Sequence, residues 1–223
     1  TMNEENLMGS LGRKHGTDKI VLHEYHEIFP QYIEKFYDSD GAMLEIGMAR
    51  GASLNMWLEL FPNMHIYGMD RDTSVTSVDR TTIIQGDQSS LDDLNRVRDQ
   101  IKHPLLFVND DGSHIPEHQL LTFNTLFPLL EIDGVYIIED IETSYWTKKD
   151  CYGYPTRYGI GHEKSIIEVF KTAIDGVNHE ICGKISGVVH HQEFIHSITF
   201  SKNCIIIIKK SPDDKPYNYK QYL

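Results

Sequence analysis

Val108-Asn109-Asp110-Asp111-Gly112-Ser113-His114 closes one apolar run, and Ile137-Ile138-Glu139-Asp140 closes the next. Each stretch reads as a β-strand whose carboxyl end releases acidic side chains, and in an open α/β sheet ligands bind at that edge. Two acidic clusters on neighbouring strand ends make an oxygen-ligand site for a hard divalent cation. His114, three residues past Asp111, is close enough to serve as a base.

Outward from this pair, short apolar runs alternate with longer amphipathic ones: 43–46 then 52–61, 65–69, 82–84 then 91–101, 105–108 then 117–130, and 134–138 then 163–174. The alternation predicts βαβ units around a parallel sheet. Residues 194–200 and 204–210, separated by Ser201-Lys202-Asn203, predict an antiparallel hairpin, with 205–208 apolar enough to be buried on both faces. The expected fold is α/β: a mostly parallel seven-stranded sheet ending in an antiparallel hairpin, with helices on both faces. That is the Rossmann-like arrangement of class I methyltransferases, a fold-level analogy that the site must support. Residues 1–40, with short amphipathic stretches interrupted at Pro30, predict an N-terminal helical cap over the sheet edge. Residues 41–223 are expected to form the sheet domain, with one domain in all.

Composition narrows the function. Lys plus Arg number 21 against 33 Asp plus Glu, a net charge of −12 with no basic stripe, which argues against a nucleic-acid partner. Cys151, Cys182 and Cys204 lack CxxC spacing, so free thiols in a reducing compartment are expected rather than a zinc knuckle or a disulfide framework. No apolar stretch approaches the roughly 20 residues that span a bilayer, and no basic-then-apolar leader is seen. The expectation is a soluble, cytoplasmic protein without a membrane partner.

Leu44-Glu45-Ile46-Gly47-Met48-Ala49-Arg50-Gly51-Ala52-Ser53 places small residues after the first strand and before the first helix, which lets backbone approach a cofactor. Gly47, Ala49, Gly51 and Ser53 are the candidate contacts; the spacing is GxGxG-like rather than GxGxxG, and the loop alone also admits a nicotinamide dinucleotide. Glu45 is read either as a cofactor contact or as a turn carboxylate. Asp70, closing Ile66-Tyr67-Gly68-Met69-Asp70, is suited to ribose hydroxyls, and Asp87, just past the third strand, to an adenine amino group. A solvated surface position is the competing reading of both.

Asp111 and the pair Glu139-Asp140 are 28 and 29 residues apart, a separation that fits one helix between adjacent parallel strands. Carboxylates converging from two such ends can hold Mg²⁺ and leave positions for substrate oxygens. A bound cation lowers the pKa of a coordinated alcohol. With a neutral imidazole at His114 as general base, an aliphatic hydroxyl becomes a nucleophile towards a methyl sulfonium. Asp110 is an alternative ligand, a cap for the helix opening at Pro116, or a cofactor-side carboxylate. His118, four residues after His114, could complete a zinc pair, but Pro116 sets the two histidines on opposite sides of a helix start. The competing reading of the whole cluster is a set of turn and cap residues.

At these residues the chain resembles the sugar O-methyltransferases of macrolide biosynthesis, the mycinamicin type. The resemblance covers about residues 14–146. It rests on Lys14-His15-Gly16-Thr17-Asp18-Lys19 with His23-x-Tyr25, on Leu44-Glu45-Ile46-Gly47, on Ile66-Tyr67-Gly68-Met69-Asp70, on Asp111-Gly112-Ser113-His114-Ile115 with Phe127-Pro128, and on Gly134-x-Tyr136-x-x-Glu139-Asp140-x-x-Thr143-Ser144-Tyr145. It implies S-adenosylmethionine and Mg²⁺ as cofactors, Asp111, Glu139 and Asp140 as metal ligands, and His114 as general base. Macrolide-type relatives carry a large extra N-terminal domain that helps assemble oligomers, whereas residues 1–40 are all that precede the first strand here. Ala49 stands where a stricter loop has glycine.

The expected activity is methyl transfer from S-adenosylmethionine to a sugar hydroxyl of a glycan or glycosylated small molecule, with homo-oligomer formation left open. Thr143-Ser144-Tyr145-Trp146 and the segment Tyr152-Gly153-Tyr154-Pro155-Thr156-Arg157-Tyr158-Gly159 are read as an acceptor lid or as an ordinary surface loop. His23 and Tyr25 are read as closing over the cofactor or anchoring the cap. The alternatives are catechol-type methylation of a phenol, a nicotinamide-dependent oxidoreductase, and a cofactor-binding module without turnover.

Overall fold

Seven strands hydrogen-bond into one sheet in a computed structural model that describes residues 5–72, 74–147, 153, 156–183, 185 and 187–210. The strands are β1 (Gly41–Ile46), β2 (Met64–Asp70), β3 (Thr81–Gln85), β4 (Leu105–Asp110), β5 (Leu130–Glu139), β6 (Ile195–Ser201) and β7 (Cys204–Lys209). Their order is β3-β2-β1-β4-β5-β7-β6, with β1 to β5 parallel and β7 antiparallel to both β5 and β6. This is the Rossmann-like class I methyltransferase fold. Continuous burial from Ala42 to Ile46 and from Cys204 to Ile207 accounts for the uninterrupted apolar runs of those strands, because both faces are covered.

Nine helices connect them among the described residues: α1 (Leu7–His15), α2 (Asp18–Val21), α3 (Pro30–Ile33), α4 (Ala52–Leu60), α5 (Leu91–Gln100), α6 (Pro116–Leu126), α7 (Ile166–Thr172), α8 (Ile174–Val177) and α9 (His179–Cys182). Their starts are written locally. Ser90 and Ser165 accept from the backbone N–H groups of Asp93 and Glu168, capping α5 and α7. Pro116 opens α6. Pro30 likewise opens α3 rather than breaking a helix, since its fixed φ suits a first turn.

One sheet face packs Leu44, Met69, Val108, Tyr136 and Ile207 against Leu94, Val97, Phe123 and Phe170 of α5, α6 and α7. The other packs Met43, Ile66, Phe107, Ile137 and Ile206 against Trp57 and Leu60 of α4 together with Met8, Ile20, Tyr25 and Phe29. The N-terminal segment is therefore half of a covering layer, and Lys19, His23 and Tyr25 of it reach the sheet's carboxyl edge. Cys182 is exposed and Cys204 buried, where desolvation pushes its thiol up to about 12; Cys151 lies outside the described residues. No helix among the described residues is long and apolar enough to cross a membrane.

β1 and β4 are neighbours whose connections leave in opposite directions, which opens a crevice at their carboxyl ends. Gly47 sits there at φ 81°, and a Cβ on it would lie 2.0 Å from the carbonyl oxygen of Asp111. The two loops that form the crevice touch backbone to backbone at this glycine. Gly47→Ala combines left-handed strain with a backbone clash and is expected to lower the unfolding free energy by about 2–4 kcal/mol, measured by urea denaturation.

Candidate active site

β4 and β5 deliver the acidic residues. Asp111 follows β4, Asp140 follows Glu139 at the end of β5, and α6 starts beyond His114. His114 and Asp140 both adopt left-handed backbone, at φ 55° and 52°. Those turns swing the side chains back over the strand ends, at a cost of about 1–3 kcal/mol each. The His114 imidazole Nε2 lies 3.9 Å from Asp111 Oδ1 and 3.7 Å from Asp140 Oδ2. One ligand atom from each of Asp111, His114 and Asp140 lies within 4.8 Å of the others.

The far oxygens of the two aspartates are tied back. The Tyr25 hydroxyl donates to Asp140 Oδ1 at 2.7 Å, Asn203 Nδ2 adds a second bond at 3.1 Å, and the His23 ring stacks on Tyr25. Asp111 Oδ2 accepts from the Lys19 ammonium. Lys19 is fully buried, and its Nζ also lies 3.0 Å from Glu139 Oε1 and 3.3 Å from Glu45 Oε1. Burial works against its charge, but attraction to Asp111, Glu139 and Glu45 prevails and holds its pKa well above the usual lysine range. Burial pushes the carboxyls of Glu45, Asp111 and Glu139 upward, and Lys19 opposes the shift at each.

A cleft of about 590 Å³ runs beside this cluster, lined by Ile46, Gly47, Asp70, Asp87, Gln88 and Gly112 among others. Its size suits a nucleoside-bearing cofactor. The Asp111–His114 turn has two sides: Gly112 and Ser113 line the cleft, while Asp111 and His114 meet the carboxylates. A donor bound in the cleft and an acceptor held at the acidic cluster would thus be separated by a single turn of chain.

Not every candidate lies where a cofactor could touch it. Gly47, Asp70 and Asp87 line the cleft. Asp70 Oδ2 accepts from the backbone N–H groups of Met48 and Ala49 at 2.7 and 3.1 Å, which fixes the glycine loop, where Ala49 itself takes φ 45°. Asp87 accepts from Ser89 N and Oγ, bonds that hold its carboxyl below the ordinary range. Gly51 opens α4 at φ 84° beside Val75. Glu45 and Ser53 lie beneath the loop instead: Ser53 Oγ and Trp57 Nε1 donate to the Glu45 carboxylate at 2.8 and 3.0 Å. Asp110 is buried and accepts from Gln88 Nε2 at 2.6 Å, and desolvation pushes its carboxyl up to about 7. His118 turns to Ser113 Oγ at 2.8 Å, away from the carboxylate cluster that His114 faces.

Glu139 is engaged on both oxygens, by Asn109 Nδ2 at 2.7 Å and by Lys19 at 3.0 and 3.1 Å, and is not among the Asp111, His114 and Asp140 ligand atoms that lie within 4.8 Å of one another. Lys19, Asn109, Gln88 and Asn203 are site residues that the sequence did not single out. The one signal for Lys19 was its place in the Lys14–Lys19 motif. Of the aromatic segment, Thr143 and Ser144 are buried, Tyr145 is exposed and Tyr158 packs on His162. Tyr152, Tyr154 and Pro155 lie outside the described residues.

The sheet order is that of the class I methyltransferase fold, and the chain is similar to sugar O-methyltransferases of the mycinamicin type. It is 35% identical over 181 residues to the 8-demethyl-8-alpha-L-rhamnosyl tetracenomycin-C 2'-O-methyltransferase of Streptomyces olivaceus, covering 77% of this chain and 46% of that one. It is 31% identical over 189 residues to the mycinamicin VI 2''-O-methyltransferase of Micromonospora griseorubida, covering 78% and 44%. In structure it is similar to the MycE methyltransferase from the mycinamycin biosynthetic pathway in complex with Mg, SAH and mycinamycin VI, with a TM-score of 0.80 and 26% identity over 96% of this chain and 57% of that one. The chain spans about half the length of the curated relatives it matches. No family model matches it.

Removal of the Lys19 cation leaves its three carboxylates in a site that desolvates them. Lys19→Met is expected to cost about 3–5 kcal/mol of metal-free stability near neutral pH. An acid whose folded pKa is raised binds its proton more tightly folded than unfolded, so stability falls as pH rises from the unfolded value near 4 through the folded one. The variant's deficit is therefore expected to be small near pH 4 and to grow towards pH 7, which urea melts across that range will show.

Proposed function

We propose that this chain carries out the transfer chemistry of a Mg²⁺- and S-adenosylmethionine-dependent O-methyltransferase acting on a sugar hydroxyl of a glycan or glycosylated small molecule. His114 is the general base, and Asp111, Glu139 and Asp140 hold the metal. In this reading residues 41–223 carry the reaction and residues 1–40 complete it, contributing Lys19 and Tyr25. The observation that supports it most is the convergence of Asp111, His114 and Asp140 within 4.8 Å beside a glycine-lined cleft. The names of the relatives, sugar O-methyltransferases, and the Mg and SAH in the MycE complex support the same choice of acceptor and cofactors.

The donor set fits a hard cation: one oxygen each of Asp111 and Asp140, from different strand ends, lies within 4.8 Å of the other, and Glu139, held by Lys19 and Asn109, precedes Asp140. When bound, a divalent ion there would supply the positive charge that favours an alkoxide, and the sulfonium donor would supply an electrophilic methyl group. The remaining work belongs to the chain. His114 accepts the hydroxyl proton at Nε2, and the Asp111 and Asp140 oxygens at 3.9 and 3.7 Å stabilise the imidazolium that results. Tyr25 and Asn203 fix Asp140, and Lys19 fixes Asp111, so the facing oxygens keep their aim. Methyl transfer would need acceptor oxygen, methyl carbon and sulfur in line, and holding donor and acceptor at adjoining sites beside the Asp111–His114 turn would supply the proximity that carries much of the rate.

The test combines calorimetry with S-adenosylmethionine and with NAD, with and without Mg²⁺, and methyl transfer to rhamnosyl acceptors. Binding of S-adenosylmethionine and Mg²⁺-dependent transfer are expected. His114→Ala should lose about 10²–10⁴-fold in rate while binding donor normally, and higher pH should not restore it, because a sugar alcohol does not ionise in that range. A phenol acceptor would be rescued at high pH. Donor binding by NAD alone, or a His114→Ala rate within a few fold of wild type, would overturn the assignment.

A further inference from the structure

The buried ammonium of Lys19 occupies the space that a metal shared by Asp111 and Glu139 would need. Its Nζ is bonded to Asp111 Oδ2 and lies 3.0 and 3.1 Å from the two oxygens of Glu139 and 3.3 Å from Glu45. Lys19 is 0% exposed, out of contact with bulk solvent, and its ammonium is bonded to carboxylates. It reaches them from α2, 92 residues from Asp111 and 120 from Glu139 in sequence. Asp111 Oδ1 and Asp140 Oδ2 stay turned to His114, whereas Glu139 has both oxygens committed to Lys19 and Asn109.

We infer that Lys19 is an internal counter-cation that competes with the divalent ion for Asp111 and Glu139, and that Glu139 joins the metal only by exchanging the ammonium for it. The inference rests on the metal reading proposed above. Two cations drawn to the same carboxylates repel each other strongly where water is excluded, so each weakens the other's hold. The gain is that metal-free protein keeps a folded, charge-balanced site, and the cost is weaker metal affinity.

Titration with Mn²⁺ as the probe, followed by electron paramagnetic resonance of the free ion, compares wild type with Lys19→Met and Lys19→Arg. Lys19→Met is expected to bind Mn²⁺ at least tenfold more tightly than wild type, and its thermal midpoint should rise more at saturating Mn²⁺. Lys19→Arg, which keeps the charge, should bind no more tightly than wild type. Should Lys19→Met fail to fold, the double variant Lys19→Met/Glu45→Gln removes the cation together with one acid it balances and is held to the same tenfold expectation. Mn²⁺ binding by wild type with no gain in the charge-removing variant overturns the role of Lys19 alone. Absence of Mn²⁺ binding in every form overturns the metal reading, and this inference with it.

Discussion

Four carboxylates, those of Glu45, Asp111, Glu139 and Asp140, are gathered at the carboxyl ends of β1, β4 and β5, where little water reaches them. Such a concentration of like charge cannot ionise unaided. The surrounding structure is arranged to supply donors: an ammonium from α2, a phenol from the following turn, amides from Asn109 and Asn203, and an indole from α4. These bonds link the N-terminal segment, three central strands and the β6–β7 turn at one point. The N-terminal segment is held by its apolar face against the sheet and by this polar tip at the sheet's edge, and the two attachments reinforce each other.

Much of the fold was legible because a buried parallel strand and an amphipathic helix leave different periods in the sequence. All seven strands fall on the apolar runs that marked them, and the terminal hairpin follows the Ser201-Lys202-Asn203 break. Where the reading fell short, the reason is that a pattern tells that a segment buries a face but not against what. The stretch around Ile20, Tyr25 and Phe29 reads as short amphipathic turns, yet its partners, Trp57, Phe107 and Ile206, are scattered through the chain. The short α8 and α9 carry too few turns to show a period.

The site divides in the same way. Asp111, His114 and Asp140 were legible because each terminates or follows a strand whose end points at one crevice, and the fold brings them together. Asp70 and Asp87 were legible for the same reason. Glu45 and Ser53 shared the glycine loop's sequence but not its exposed side, because a strand's alternation turned Glu45 inwards to Trp57. Beyond its place in the Lys14–Lys19 motif, Lys19 left no local signature. A lysine in a helix of four residues has no period to mark it as buried, and only the tertiary fold reveals that three acids surround it.

The left-handed backbone at Ala49, His114 and Asp140 has a consequence for how this protein can change. At each position glycine would relieve the left-handed strain that a side chain imposes. Glycine at His114 or Asp140 would relax the backbone but remove a side chain of the acidic cluster, so at these two corners stability and the site pull in opposite directions. Attempts to make a heat-resistant form by directed evolution would do well to freeze these corners and search among the outward helices.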